Sequence, residues 1–133
     1  MPKLDHVALQ VSGLDRAIKF YRDVLGLTLR SQQRDEAHGE AFAFFALEGG
    51  DLELLQCIDP ATCHEAVQRI SPLEPFCPHV AIGVEDLDAA LRHLESHGIT
   101  PLKGPLEIPG QVRWMYFADP DNNVIEYVQW LQA

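Results

Sequence analysis

Apolar and polar positions alternate through residues 6–11, HVALQV: Val7, Leu9 and Val11 take one side, and His6, Ala8 and Gln10 the other. That is the period of a β-strand. Residues 79–84, HVAIGV, repeat it, with Val80, Ile82 and Val84 opposite His79, Ala81 and Gly83. The branched apolar side suits packing beneath a helix, whereas the small, polar side headed by a histidine suits a lined cavity. Helical spacing follows each strand. Asp15–Leu25 places Ile18, Tyr21, Val24 and Leu25 on one stripe, with Gly26 just beyond the end. Residues 87–97 carry Leu87, Ala90, Leu91 and Leu94, with Asp86 as N-cap and Gly98 as the closing residue. Three strand-like runs come after each helix, at 27–34, 41–48 and 51–56 and at 99–104, 112–118 and 124–130. The turn DPDNN (119–123) separates the last two by the backbone preferences of Pro, Asp and Asn.

The two halves run in parallel along the chain. His6 and His79 lie 79 − 6 = 73 residues apart, and Glu53 and Glu126 keep the same spacing, as do Phe44 and Phe117. Gly26 and Gly98 are separated by 98 − 26 = 72, so the first helix is longer by one residue. Two long copies are not a solenoid, which needs three or more short repeats. They predict tandem βαβββ modules at about 1–58 and 77–131, joined by a connector at 59–76, in a single domain spanning 1–133.

The alternation also orients two acids. Leu52 and Leu54 flank Glu53, and Ile125 and Tyr127 flank Glu126, so both carboxylates share the histidine side of their modules. Two imidazoles and two carboxylates are ordinary ligands for a divalent ion. A single strand His or Glu is usually surface or core. Four at symmetric repeat positions make a shared metal site the better reading, against one in which symmetry reflects ancestry alone. His93 and His97 fall on the polar side of the second helix and read as solvated. Arg113 is placed either to meet an anionic substrate group or to stand as a surface cation. Trp114, Phe42 and Phe44 line a cavity or pack.

Composition narrows the partners. A formal charge of −10 over 133 residues argues against nucleic acid or an anionic membrane. No apolar run is long enough to span a bilayer, and the N-terminus lacks a signal-like stretch. Cys57, Cys63 and Cys77 are odd in number with no C-x-x-C spacing, so no disulfide framework is expected. These features predict a cytoplasmic protein with a small-molecule substrate.

LDHVALQVSGLDRAIKFYRDVLGL (4–27) and MYFADPDNNVIEYVQ (115–129) carry a family resemblance. Together with paired βαβββ modules they resemble the vicinal oxygen chelate superfamily, which includes glyoxalases, bleomycin-resistance proteins and dioxygenases. Asn122 stands where that terminal signature usually has glycine, and Asn tolerates positive φ. The resemblance implies an α+β fold, a cup-shaped eight-stranded mixed sheet around a central metal site, and usually a homodimer. It makes His6, Glu53, His79 and Glu126 the ligands of one divalent ion per site, with Zn, Ni or Co favoured over Fe or Mn. The complete His-Glu-His-Glu set is most similar to glyoxalase I. There Glu53 and Glu126 would be the catalytic bases of a lyase or isomerase working through an enediolate.

Two positions depart from glyoxalase I. Gln10 stands where an arginine that grips glutathione is expected, and Cys57 where an asparagine is expected. Loss of such a charged clamp removes a few kcal/mol of binding, so a glutathione adduct is not the expected substrate. Gln10, Phe44, Arg113 and Trp114 are the candidate substrate contacts. Two other readings stand beside this one: an Fe(II) extradiol-type dioxygenase using His6, His79 and Glu126, and a non-catalytic module that binds a small molecule or antibiotic.

Overall fold

The computed structural model describes residues 1–63 and 76–131. Most of the predicted connector lies outside the described residues. The chain divides into two compact units, Met1–Gln68 and Arg69–Ala133.

In the first unit β1 (His6–Gln10) leads into α1 (Leu14–Lys19), which continues as a π-helical stretch, Phe20–Val24. Three strands follow: β2 (Thr28–Asp35), β3 (Glu40–Ala46) and β4 (Asp51–Cys57). The second unit repeats this order with β5 (His79–Gly83), α2 (Leu87–Ser96), β6 (Lys103–Ile108), β7 (Val112–Ala118) and β8 (Val124–Trp130). Each unit is one four-stranded mixed sheet, in the order β1-β4-β3-β2 or β5-β8-β7-β6. The first strand pairs parallel with the last, and the remaining pairs are antiparallel.

Alternation decides which face of each sheet is covered. Ala43, Phe45, Leu52 and Leu54 are buried with Ile18 and Tyr21 of the first helix. In the second unit Met115, Phe117, Ile125 and Tyr127 are buried, as are Leu87 and Leu94 of α2. Each helix is tied to its sheet at its start by one glutamine. The Leu14 N–H donates to Gln56 Oε1 at 2.8 Å, and the Leu87 N–H to Gln129 Oε1 at 2.9 Å. Asp86 caps α2 through the Ala89 N–H, as the sequence predicts. Asn122 has φ +62° in the turn before β8, the left-handed conformation its position requires.

The one-residue offset between the helices has a physical form. In the first unit the Leu25 N–H reaches Phe20 O, an i→i−5 bond. The extra residue is wound in as a wide turn rather than extruded as a loop. The second unit makes up the length in the hairpin before β8. Glu53 pairs with Phe44, but Glu126 pairs with Tyr116. The counterpart of Phe44 is therefore Tyr116, and Phe117 matches Phe45, both fully buried. The constant 73-residue match of Phe44 to Phe117 is corrected accordingly.

Two further expectations change. The strand placed at 99–104 begins at Lys103, because Ile99 still bonds back to Leu94 O at the helix end. Cys57 and Cys63, expected as thiols, form a disulfide with Cα atoms 5.7 Å apart. Asp59 makes this possible: its backbone carbonyl accepts from the N–H groups of Thr62 and Cys63 and its side chain from Ala61, so the chain turns back on β4. Cys77 remains a free thiol. No helix among the described residues is long and apolar enough to cross a membrane.

Candidate metal centre

Parallel pairing brings a histidine and a glutamate together in each unit. In the first, His6 is in register with Asp51, and Glu53 with Ala8. In the second, His79 is in register with Val124, and Glu126 with Ala81. The alanine opposite each glutamate leaves room on the helix-free face, and the carboxylate leans toward the imidazole. His6 Nε2 lies 3.4 Å from Glu53 Oε1, and His79 Nε2 lies 3.0 Å from Glu126 Oε1. The carboxylates are largely covered, at 13% and 16% exposed, while the imidazoles are more open at 39% and 21%.

The other nitrogen of each ring is held. His6 Nδ1 sits 2.7 Å from Asp5 Oδ1, and His79 Nδ1 lies 2.8 Å from the Cys77 carbonyl. An acceptor at Nδ1 favours the tautomer protonated there, the one that frees Nε2 to bind a metal, and in the second unit Nε2 also stands at hydrogen-bond distance from the glutamate. The Asp5 hydrogen bond also pushes the His6 pKa up, against desolvation and with help from the Glu53 charge. The same bond holds Asp5 below the usual carboxylate range. Each imidazole is further braced edge-on by an aromatic ring, Phe44 at 5.3 Å from His6 and Tyr116 at 5.4 Å from His79.

This geometry suits a divalent ion. Bonds of about 2.0–2.2 Å to both atoms set N and O about 2.9–3.4 Å apart in octahedral or tetrahedral coordination, and the two observed separations fall in that range. Each unit brings one imidazole nitrogen and one carboxylate oxygen to that spacing. Among the described residues no group of three or more His, Cys, Asp and Glu side chains is gathered as a metal cluster.

The remaining sequence candidates separate by face. Gln10 is in register with Leu55, Phe44 with Glu53 and Trp114 with Val128, so all three share the glutamate side of their sheets. Arg113 lies on the other side. It pairs with Gln129, and its guanidinium holds both carboxylate oxygens of Asp88 on α2, at 2.9 and 3.1 Å. Its role as a helix anchor displaces the substrate reading. Cys57 shares the face of Glu53, two positions beyond Leu55 in the strand alternation, and its sulfur is bonded to Cys63. Asp5, the Cys77 carbonyl and Tyr116 were not reached from sequence. Asp5 precedes His6 directly, which was the one available signal. A cavity of 620 Å³ in the first unit, lined by Gly13, Arg16, Gln32, Arg34 and Gln56, contains neither His6 nor Glu53.

The family model for the Glyoxalase/Bleomycin resistance protein/Dioxygenase superfamily matches residues 3–127. The chain belongs to this superfamily. Within it, the chain is 31% identical to a lactoylglutathione lyase from Haemophilus influenzae, over 93% of its own length and 90% of that protein. It is 30% identical to the glutathione transferase FosA of Serratia marcescens, over 95% and 79% of the two chains. Its fold matches that of a glyoxalase family protein from Bacillus cereus with a TM-score of 0.80 at 22% identity, covering 99% and 96% of the chains. Superfamily relatives of this chain thus include enzymes, and the doubled α+β unit is the superfamily fold.

Proposed function

We propose that this chain is a metal-dependent enzyme of the glyoxalase I type, a lyase or isomerase that moves a proton between adjacent carbons of a small substrate with adjacent oxygens. The observation that carries this reading is the repeated His Nε2–Glu Oε1 pair, at 3.4 and 3.0 Å, with each histidine's Nδ1 already engaged. His6, Glu53, His79 and Glu126 hold one divalent ion per site, with Zn, Ni or Co preferred to Fe or Mn. The two pairs come from the two units of one chain or from two copies in a homodimer. When bound, the ion supplies Lewis acidity toward the substrate's two oxygens.

The chain's own residues do the proton chemistry. A carboxylate of Glu53 or Glu126 takes the proton from the carbon beside the carbonyl and returns it to the neighbouring carbon, leaving the enzyme unchanged. Such acid–base work is worth about 10²- to 10⁴-fold in rate. Asp5 and the Cys77 carbonyl keep the imidazoles oriented. Phe44 and Trp114 offer apolar contact on the same faces, and Gln10 a neutral polar one. Gln10 carries no positive charge, and the sulfur of Cys57 is committed to a disulfide, so neither favours a glutathione carboxylate.

A panel assay on metal-loaded, untagged protein tests this. The expected result is turnover of α-oxo aldehyde–thiol adducts or 2-methyl acyl thioesters, with the methylglyoxal–glutathione adduct below about 10⁴ M⁻¹s⁻¹ in kcat/KM. Fe(II)-dependent oxygen uptake with catechols would replace this reading with the dioxygenase. Absence of both metal and turnover would favour the binding module.

A further inference from the structure

His93 and His97 stand one helical turn apart near the end of α2, and no part of the proposed reaction uses them. Their rings lie 4.8 Å apart, centroid to centroid, with planes at 64°. Both residues are exposed. Positions i and i+4 of a helix share one face, and two histidines at that spacing form the bidentate half of many helical metal sites. We propose that His93 and His97 form a second metal site on this chain, a surface chelate for a borderline divalent ion, with Cu(II) bound most tightly.

Three observations converge on it. Imidazole suits Cu, Ni and Zn, and the Irving–Williams order puts Cu(II) above its neighbours for such a donor pair. The pair also sits at the carboxyl end of a ten-residue helix, with His97 as its C-cap. The partial negative charge of a helix C-terminus favours a cation there, and a chain of net charge −10 adds to that attraction. Finally, the rings already lie close together on a hydrogen-bonded turn, where Ser96 Oγ donates to the His93 carbonyl at 2.6 Å. Two protein ligands leave open positions for water, so the site holds an exchangeable ion rather than a structural one.

The test uses the full chain, untagged and metal-stripped, carrying His6→Ala and His79→Ala so that the candidate centre is disabled. Copper sulfate is titrated past one equivalent in a weakly coordinating buffer, with histidine ring signals followed by NMR at the first, substoichiometric additions and calorimetry carried through the full titration. The expected result is joint broadening of the His93 and His97 signals and one equivalent of bound Cu(II). Adding either His93→Ala or His97→Ala should weaken that equivalent by about ten-fold or more, the scale of loss when a ligand's support is removed. Circular dichroism checks the helix, and His97→Gln serves if the alanine variant unfolds. Copper seated on His38 or His64, broadening of one ring alone, or unchanged affinity in both variants overturns the proposal.

Discussion

Tyr127 shows at residue scale how burial becomes a pH dependence. Its ring is buried against Phe117, at 4.8 Å, and desolvation pushes its hydroxyl up to about 12. An unfolded chain ionises the same group near pH 10. Its contribution to stability is therefore complete below about pH 10 and is lost as pH rises toward 12, by up to about 1.4 kcal/mol per unit. Urea unfolding of wild type and Tyr127→Phe at pH 9 and pH 11 should show the variant gaining about 1 kcal/mol on wild type over that interval. A constant difference would mean the ring ionises in place. The sequence revealed which way such side chains point because a strand's period is fixed, so Glu53 and Glu126 were placed correctly on the helix-free faces. It did not reveal what holds the imidazoles. The contacts to Asp5 and to the Cys77 carbonyl depend on backbone path, which alternation does not encode.

At the scale of elements, the loop after β4 departs most from expectation. Counting cysteines gave no bridge, because the pairing of Cys57 with Cys63 is created by the turn that Asp59 organises. A disulfide with a sequence separation of 6 closes a small loop, and chain entropy assigns it about 2 kcal/mol. Cys63→Ser should lower stability by about that amount in thermal unfolding, and reduced wild type should match the variant. Equal stability of oxidised wild type and variant would mean that closing this loop adds nothing to the folded state. Boundaries elsewhere were legible wherever a capping residue marked them: Asp86 opens α2, and Gly26 and Gly98 both take positive φ, at +73° and +76°. The start of β6 was not. Ile99 follows a helix-ending glycine and reads as strand, yet its N–H is still spent on the helix.

For the whole molecule, the duplication was the most legible feature, because both units keep the 73-residue spacing at His6/His79, Glu53/Glu126 and Gln56/Gln129. Whether the two pairs combine into the proposed four-ligand centre, and from one chain or two, is a separate question that complementation answers. One variant carries His6→Ala and Glu53→Ala, and the other His79→Ala and Glu126→Ala. Each alone should bind metal weakly. If two copies share a centre, coexpressing the variants should restore metal binding and activity to a fraction of the assemblies, read by metal content and turnover. If each centre lies within one chain, the mixture stays inactive.

The wide turn at Phe20–Val24 has a genealogical consequence. The two units differ in length by one residue at two places, the first helix and the hairpin before β8. Both differences fall between strands. A helix absorbs an added residue by widening a turn, and a hairpin by lengthening its tip. β4 and β8, paired on both sides without a register shift, have no such slack, because one residue more or less exchanges a strand's two faces. A slip inside β4 or β8 would have turned Glu53 or Glu126 beneath a helix, so the ancestry of this chain preserves the parity of its strands more strictly than their spacing.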